Sequence, residues 1–183
     1  MALQATPYRF SVQLAHVDRA LYVDLDVKMA RHPSETERSL LLRLLAYCLL
    51  HEEGISFSKG GLSSPDEPAL SVRTLDGRLT TWVEIGSPSG ERLHKAAKAA
   101  PRVVLFTHAD PALLVGALAK EKIHKRELIE VWHLAPAFLD ELAAQVGDRG
   151  ARLELTITEG QLFVGVGGAT ITGALERVAL AHE

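Results

Sequence analysis

The chain has 183 residues, 47% of them hydrophobic and 23% charged, with a formal net charge of −3. Those values exclude a disordered or low-complexity protein and set a single domain over residues 1–183 as the expectation. The acidic balance excludes a globally basic nucleic-acid binder, and the single cysteine, Cys48, excludes an intramolecular disulfide framework.

Residues 7–16 and 20–29 alternate polar and apolar side chains on either side of His16-Val-Asp-Arg19, the pattern of an opening antiparallel hairpin. Asp24 and Asp26 share one face of its second strand, a spacing that could chelate but that a solvated strand face explains better. Ser34 and Glu37 have capping-box spacing, and apolar positions 40, 41, 44, 45 and 48 carry the predicted helix to about His51. Glu35 and Glu37 fall in its first turn, where acids complement the helix dipole. Cys48, within the apolar run 44–50, reads as a buried, inert thiol. Residues 59–65 are loop-like and end at Asp66. Two apolar runs, 69–75 and 78–85, flank Asp76-Gly77, the strongest short-range hairpin signal. Ser87 and Pro88 predict the start of a second helix that ends before Pro101. Leu93, Ala96, Ala97 and Ala100 form its apolar face, with Arg92 and Lys95 on a flanking stripe. A buried strand over 102–107, a short helix after Asp110-Pro111, a strand over 127–133 and a helix over 136–146 follow. A last hairpin, 151–158 and 161–166, turns at Glu159-Gly160. No repeat or linker interrupts the chain.

The 69–85 hairpin sets the beginning of one strand beside the end of the other, so Asp66 and Glu84 finish on one sheet edge. Two carboxylates there can hold a hard divalent cation. The plainer alternative makes Glu84 a solvent-facing strand residue and Asp66 and Glu67 loop charges. Other constellations fail. Eight histidines show no zinc-ligand spacing, and His51-Glu-Glu53 fits a helix end. His108 and Asp110 remain a minor acid–base candidate. In Gly165-Val-Gly-Gly168, Thr170 takes the place of the motif's third glycine, and no following strand is expected, so it is no dinucleotide loop. Serines lack a nucleophile elbow. Trp82 and Trp132 read as core.

Several segments in register carry a family resemblance. They are Arg31-His-Pro-Ser-Glu-Thr36, Asp66-Glu-Pro-Ala-Leu70, Trp82-Val-Glu-Ile-Gly-Ser-Pro88 and Arg92-Leu-His-Lys-Ala96, then Val104-Leu-Phe-Thr107, Val131-Trp132 and Leu155-Thr-Ile-Thr-Glu-Gly160. On these the chain resembles the YaeQ family, whose fold is similar to that of the PD-(D/E)XK nucleases. The resemblance implies an α/β protein with a restriction-endonuclease-like mixed β-sheet flanked by helices, with N-terminal and C-terminal β-hairpins. It implies Asp66 and Glu84 as ligands of Mg²⁺ or Mn²⁺, helped by the Ile85 carbonyl, and phosphodiester hydrolysis on nucleic acid. Gly86 stands where the superfamily has a lysine, and relocation onto the next helix points to Lys95, with Arg92 as a phosphate clamp. Glu35, within the family's His-Pro-Ser-Glu segment, and Glu67 are accessory candidates. The alternative is a catalytically silent module that binds nucleic acid or a protein partner.

Three expectations follow for the structure and its variants. Asp66 and Glu84 should lie close together, and Lys95, not Lys98, should face them. Two unshielded acids would repel, so Glu84→Ala should be neutral or stabilising in metal-free buffer. The absence of a basic-then-apolar leader and of a bilayer-length apolar run predicts a cytoplasmic protein with no membrane partner.

Overall fold

In a computed structural model, residues 4–59 and 64–180 are described. The first half contains β1 (Thr6–His16), β2 (Leu21–Arg31), α1 (Glu37–Leu49), β3 (Ile55–Phe57), β4 (Leu70–Arg73), β5 (Leu79–Ile85) and α2 (Gly90–Ala99). The second half contains β6 (Arg102–Thr107), α3 (Pro111–Leu118), β7 (Glu130–His133), α4 (Pro136–Gln145), β8 (Gly150–Thr158), β9 (Gln161–Val166), β10 (Ala169–Ala174) and β11 (Glu176–Val178). The protein is thus mixed α/β. No described helix is long and apolar enough to cross a membrane. The residues at 60–63 of the expected 59–65 loop lie outside the described residues.

The chain divides into two compact units, each drawn from two stretches of sequence. The first comprises 1–49 and 134–175, the second 50–133 and 176–183. The first unit holds a five-stranded mixed sheet in the order β10-β9-β8-β1-β2. The opening and closing hairpins form as expected, and β1 and β8 join them through parallel pairing from Arg9↔Gly150 to His16↔Ile157. Alternation decides what is buried: Tyr8, Phe10, Val12 and Leu14 turn inward on β1, while Asp24 and Asp26 remain exposed on β2. The helix start is a correction. The hydroxyl of Thr36, not Ser34, accepts the Ser39 N–H (3.1 Å) and caps α1, while Ser34 bonds the His32 ring. Leu42, Ala46 and Leu49 are buried beside the expected apolar positions, so α1 is enclosed nearly all round rather than along one stripe. Burial pushes the Cys48 thiol up to about 12, as expected of an inert cysteine.

The strand after Gly168 was not expected, and the structure has β10 there. Gly167 (φ +57°) and Gly168 (φ +78°) make the tight β9–β10 turn, a left-handed pair that suits a two-residue hairpin. These glycines therefore form no dinucleotide loop, for a different reason from the one the sequence suggested.

The second unit holds a six-stranded mixed sheet, β11-β7-β6-β5-β4-β3. Two sheets thus stand where one was expected, and β3 and β11 were unforeseen edge strands. The Asp76-Gly77 hairpin is present, with Leu70↔Val83 and Val72↔Thr81 in register. Its loop is one residue longer than a two-residue turn: Gly77 N donates to Thr74 O and Thr74 N to Arg78 O. On one face of this sheet, Trp82, Val103, Leu105 and Val131 pack with Leu93 and Ala96 of α2 and Leu114 and Leu118 of α3. Asp110 caps α3 by accepting from the Ala112 and Leu113 amides. For α2 the cap is Ser89, which accepts from Arg92 N, rather than Ser87. Of the expected strand 127–133, only β7 is a strand, after a short 3-10 turn at 126–128.

Candidate functional site

Period-two alternation along β5 puts Trp82 and Glu84 on the same side of the strand, two residues apart. Glu84 is only 4% exposed, and a buried carboxylate must find partners. It finds two, since its Oε1 accepts from Trp82 Nε1 (2.6 Å) and from Arg92 Nε (2.8 Å). Arg92 comes from the first turns of α2, and its guanidinium reaches further. It also donates to the carbonyls of Ser64 and Pro65 (3.3 Å each) and of Glu67 (2.7 Å). One rigid fork of five N–H groups thereby ties helix, strand and the 64–67 segment together. Three residues further along α2, Lys95 forms an ion pair with the Asp66 carboxylate. The hydrogen bond and charge of Lys95, with Arg92 adding, hold the Asp66 carboxyl below the usual carboxylate range.

Asp66, Glu84, Arg92 and Lys95 thus gather where β5 meets α2, and Lys95 rather than Lys98 meets the acid. Asp66 and Glu84 are linked through bases: Arg92 holds Glu84 and the carbonyls on either side of Asp66. The premise of two unshielded acids is therefore corrected, because each carboxylate has its own cationic partner. Removing Glu84 strands a buried indole N–H instead of relieving repulsion. Glu67 turns its side chain to the Ser58 hydroxyl (2.6 Å) and lends Arg92 only its carbonyl.

Glu35 belongs to the first unit. Its carboxylate is buried in a two-pronged pair with Arg43 (2.8 and 2.9 Å), and Arg43 also donates to Ala30 O (2.8 Å). Among the described residues no group of three or more His, Cys, Asp or Glu side chains gathers for a metal. Gly86 follows Glu84 at φ +97° with open space around its missing Cβ. Trp82 is the residue that sequence reasoning assigned to the core alone. It is core, but its N–H orients Glu84, and the i, i+2 spacing within Trp82-Val-Glu84 was the available signal.

The comparisons with known proteins agree with this architecture. The family model "YaeQ protein" matches residues 1–174. "Uncharacterized protein YaeQ" of Escherichia coli (strain K12) is 34% identical over 165 residues, 90% of each chain, and the Shigella flexneri relative gives the same values. The crystal structure of YaeQ from Pseudomonas syringae superposes with a TM-score of 0.85 at 30% identity, covering 98% of this chain and 97% of that one. The YaeQ structure from Xanthomonas axonopodis pv. citri gives 0.82 at 26% identity, covering 95% and 98%. Sequence match over nearly the whole length and a shared fold lead to one conclusion: the chain belongs to the YaeQ family.

Proposed function

We propose that Asp66, Glu84, Arg92 and Lys95 form a restriction-endonuclease-like phosphodiester-hydrolysing site that acts on nucleic acid with Mg²⁺ or Mn²⁺. The observation that carries this reading is the Lys95–Asp66 pair. A phosphoryl-transfer site needs a cation beside the attacked phosphate. Gly86 cannot readily supply it, because a side chain at φ +97° costs about 1–2 kcal/mol of backbone strain. The amine arrives instead from α2, one helix later in the chain. Asp66 and Glu84 would hold the metal, since carboxylate oxygens are the donors that hard divalent ions take. Both acids now satisfy basic side chains, so an incoming ion would take over oxygens that Lys95 and Arg92 hold. The ion, when bound, would acidify water and shield phosphate charge. The chain's own contribution is positional. Trp82 fixes the Glu84 carboxylate, Arg92 locks the 64–67 segment against α2, and Lys95, freed from Asp66, has a charge to offer a phosphate oxygen.

A cleavage assay with Mn²⁺ on single- and double-stranded DNA and RNA tests the reading. Wild type should cut at least one, while Glu84→Ala and Lys95→Ala lose roughly a hundredfold or more. Lys28→Ala, in the first unit, should cut normally. The second reading, a silent module that binds nucleic acid or protein, has one observation in its favour. Arg92 already donates to Glu84 Oε1 and to three nearby carbonyls, an arrangement held together without an ion. Wild type that cuts none of the four substrates would remove the hydrolytic reading and leave the binding module.

A further inference from the structure

Lysine is unevenly distributed over this chain. Of seven lysines, five (Lys95, Lys98, Lys120, Lys122 and Lys125) lie on α2 or in the 119–125 segment after α3. That segment is fastened along α2. Arg126 donates to the carbonyls of Leu118, Ala119 and Glu121, folding the chain round its guanidinium. The His124 amide donates to His94 Nδ1 on α2 (3.2 Å), and the two rings meet edge-on at 6.3 Å. At Gly90 an added Cβ would come within 2.4 Å of the Glu121 Cβ, so backbone and side chain nearly touch there. Contacts of 90 with 121 and of 94 with 124 lay the segment beside the helix, running in the same direction.

Lys98, Lys120, Lys122 and Lys125 are exposed, and among the described residues none forms an ion pair. Arg9, Arg38 and Arg78 elsewhere are each paired with an aspartate, whereas these four lysines leave their charge open to solvent. Residues 90–99 and 119–128 carry seven basic side chains against three acidic ones, in a chain whose net charge is −3. Charge has been segregated onto one strip, and Lys95 joins that strip to Asp66.

We propose that α2 and the 119–125 segment form a track for the phosphate backbone of a nucleic acid, leading to the Asp66–Glu84 site. What happens to the strand at that site rests on the proposed function; the track itself needs only binding. Unpaired lysines on flexible stems suit repeated phosphates, which they can hold without reading sequence. A protein partner is the poorer fit, because lysine is depleted at the centres of protein interfaces.

The test is fluorescence anisotropy of labelled oligonucleotides with the full chain in EDTA, at a series of salt concentrations. For wild type, log affinity should fall steeply with log salt. In Lys120→Ala/Lys122→Ala/Lys125→Ala that slope should become shallower by roughly two to three, and low-salt affinity should drop by about an order of magnitude or more. Lys28→Ala should bind as wild type. Wild type that fails to bind at low salt, or a triple variant with unchanged slope, overturns the track. So does polyglutamate that displaces the probe as well as unlabelled oligonucleotide, which would assign the strip to an acidic protein. Salt-sensitive binding lost in the triple variant, without Mn²⁺-dependent cutting by wild type, keeps the track and removes the hydrolytic reading. Cutting with unchanged binding in the triple variant does the reverse.

Discussion

At the scale of single residues, the candidate site is a set of exchanged charges, and Asp66 is the most accessible of them. Lys95 holds its carboxyl below the usual range, so the native state binds the Asp66 proton less tightly than the unfolded chain does. The sign follows: the pairing supports the fold at pH above the ordinary carboxylate value of about 3.9 and is lost as pH falls through the lower native value. A carboxyl-carbon NMR titration should find the Asp66 midpoint below ordinary, and Lys95→Ala should raise it towards the ordinary value. An unchanged midpoint in that variant would mean the pair is absent in solution. The acids and Lys95 were legible in sequence because hairpin register and helix rotation set which groups share an edge. The hold of Arg92 on the 64–67 carbonyls was not, because backbone acceptors leave no residue-type signature.

At the scale of elements, the strong periodic segments were readable and their ends were not. Two of the expected caps, at Ser34 and Ser87, moved two residues on, to Thr36 and Ser89. Adjacent Ser and Thr residues compete for the same orphan amides, and only tertiary placement chooses between them. The short edge strands β3 and β11, three residues each, are too brief to show alternation. Joining of the two outer hairpins by β1 and β8 depends on residues some 140 positions apart, a pairing that local pattern cannot encode. The Glu35–Arg43 pair pins the approach to α1 onto that helix with side chains 0% and 5% exposed. Arg43→Met should therefore destabilise the protein by about 3–5 kcal/mol in urea unfolding, by leaving the buried Glu35 carboxylate without its cationic partner and with only the His32 N–H. Glu35→Gln added to it should recover part of the loss. A silent Arg43→Met would mean that water reaches the pair.

At the scale of the whole molecule, a thermal melt reads the site and the fold together. In metal-free buffer Glu84→Ala should lose about 1–3 kcal/mol, because the Trp82 Nε1–H and the Arg92 Nε–H lose their acceptor. Millimolar Mn²⁺ should then raise the midpoint of wild type and not of Glu84→Ala, by mass action on the native state. A metal-independent wild-type midpoint would weigh against a cation at Asp66 and Glu84. The interleaving of the two units also sets an order of events during synthesis. On the ribosome, Arg9 emerges long before its partner Gly150, by about 7–30 s at ordinary elongation rates of 5–20 residues per second. Through that interval β1 and β2 present an open strand edge and a row of inward-facing apolar side chains. Likewise β7 waits for β11. Neither sheet can be completed until the second half of the chain has been translated, so the nascent hairpin is an aggregation-prone edge for as long as synthesis lasts.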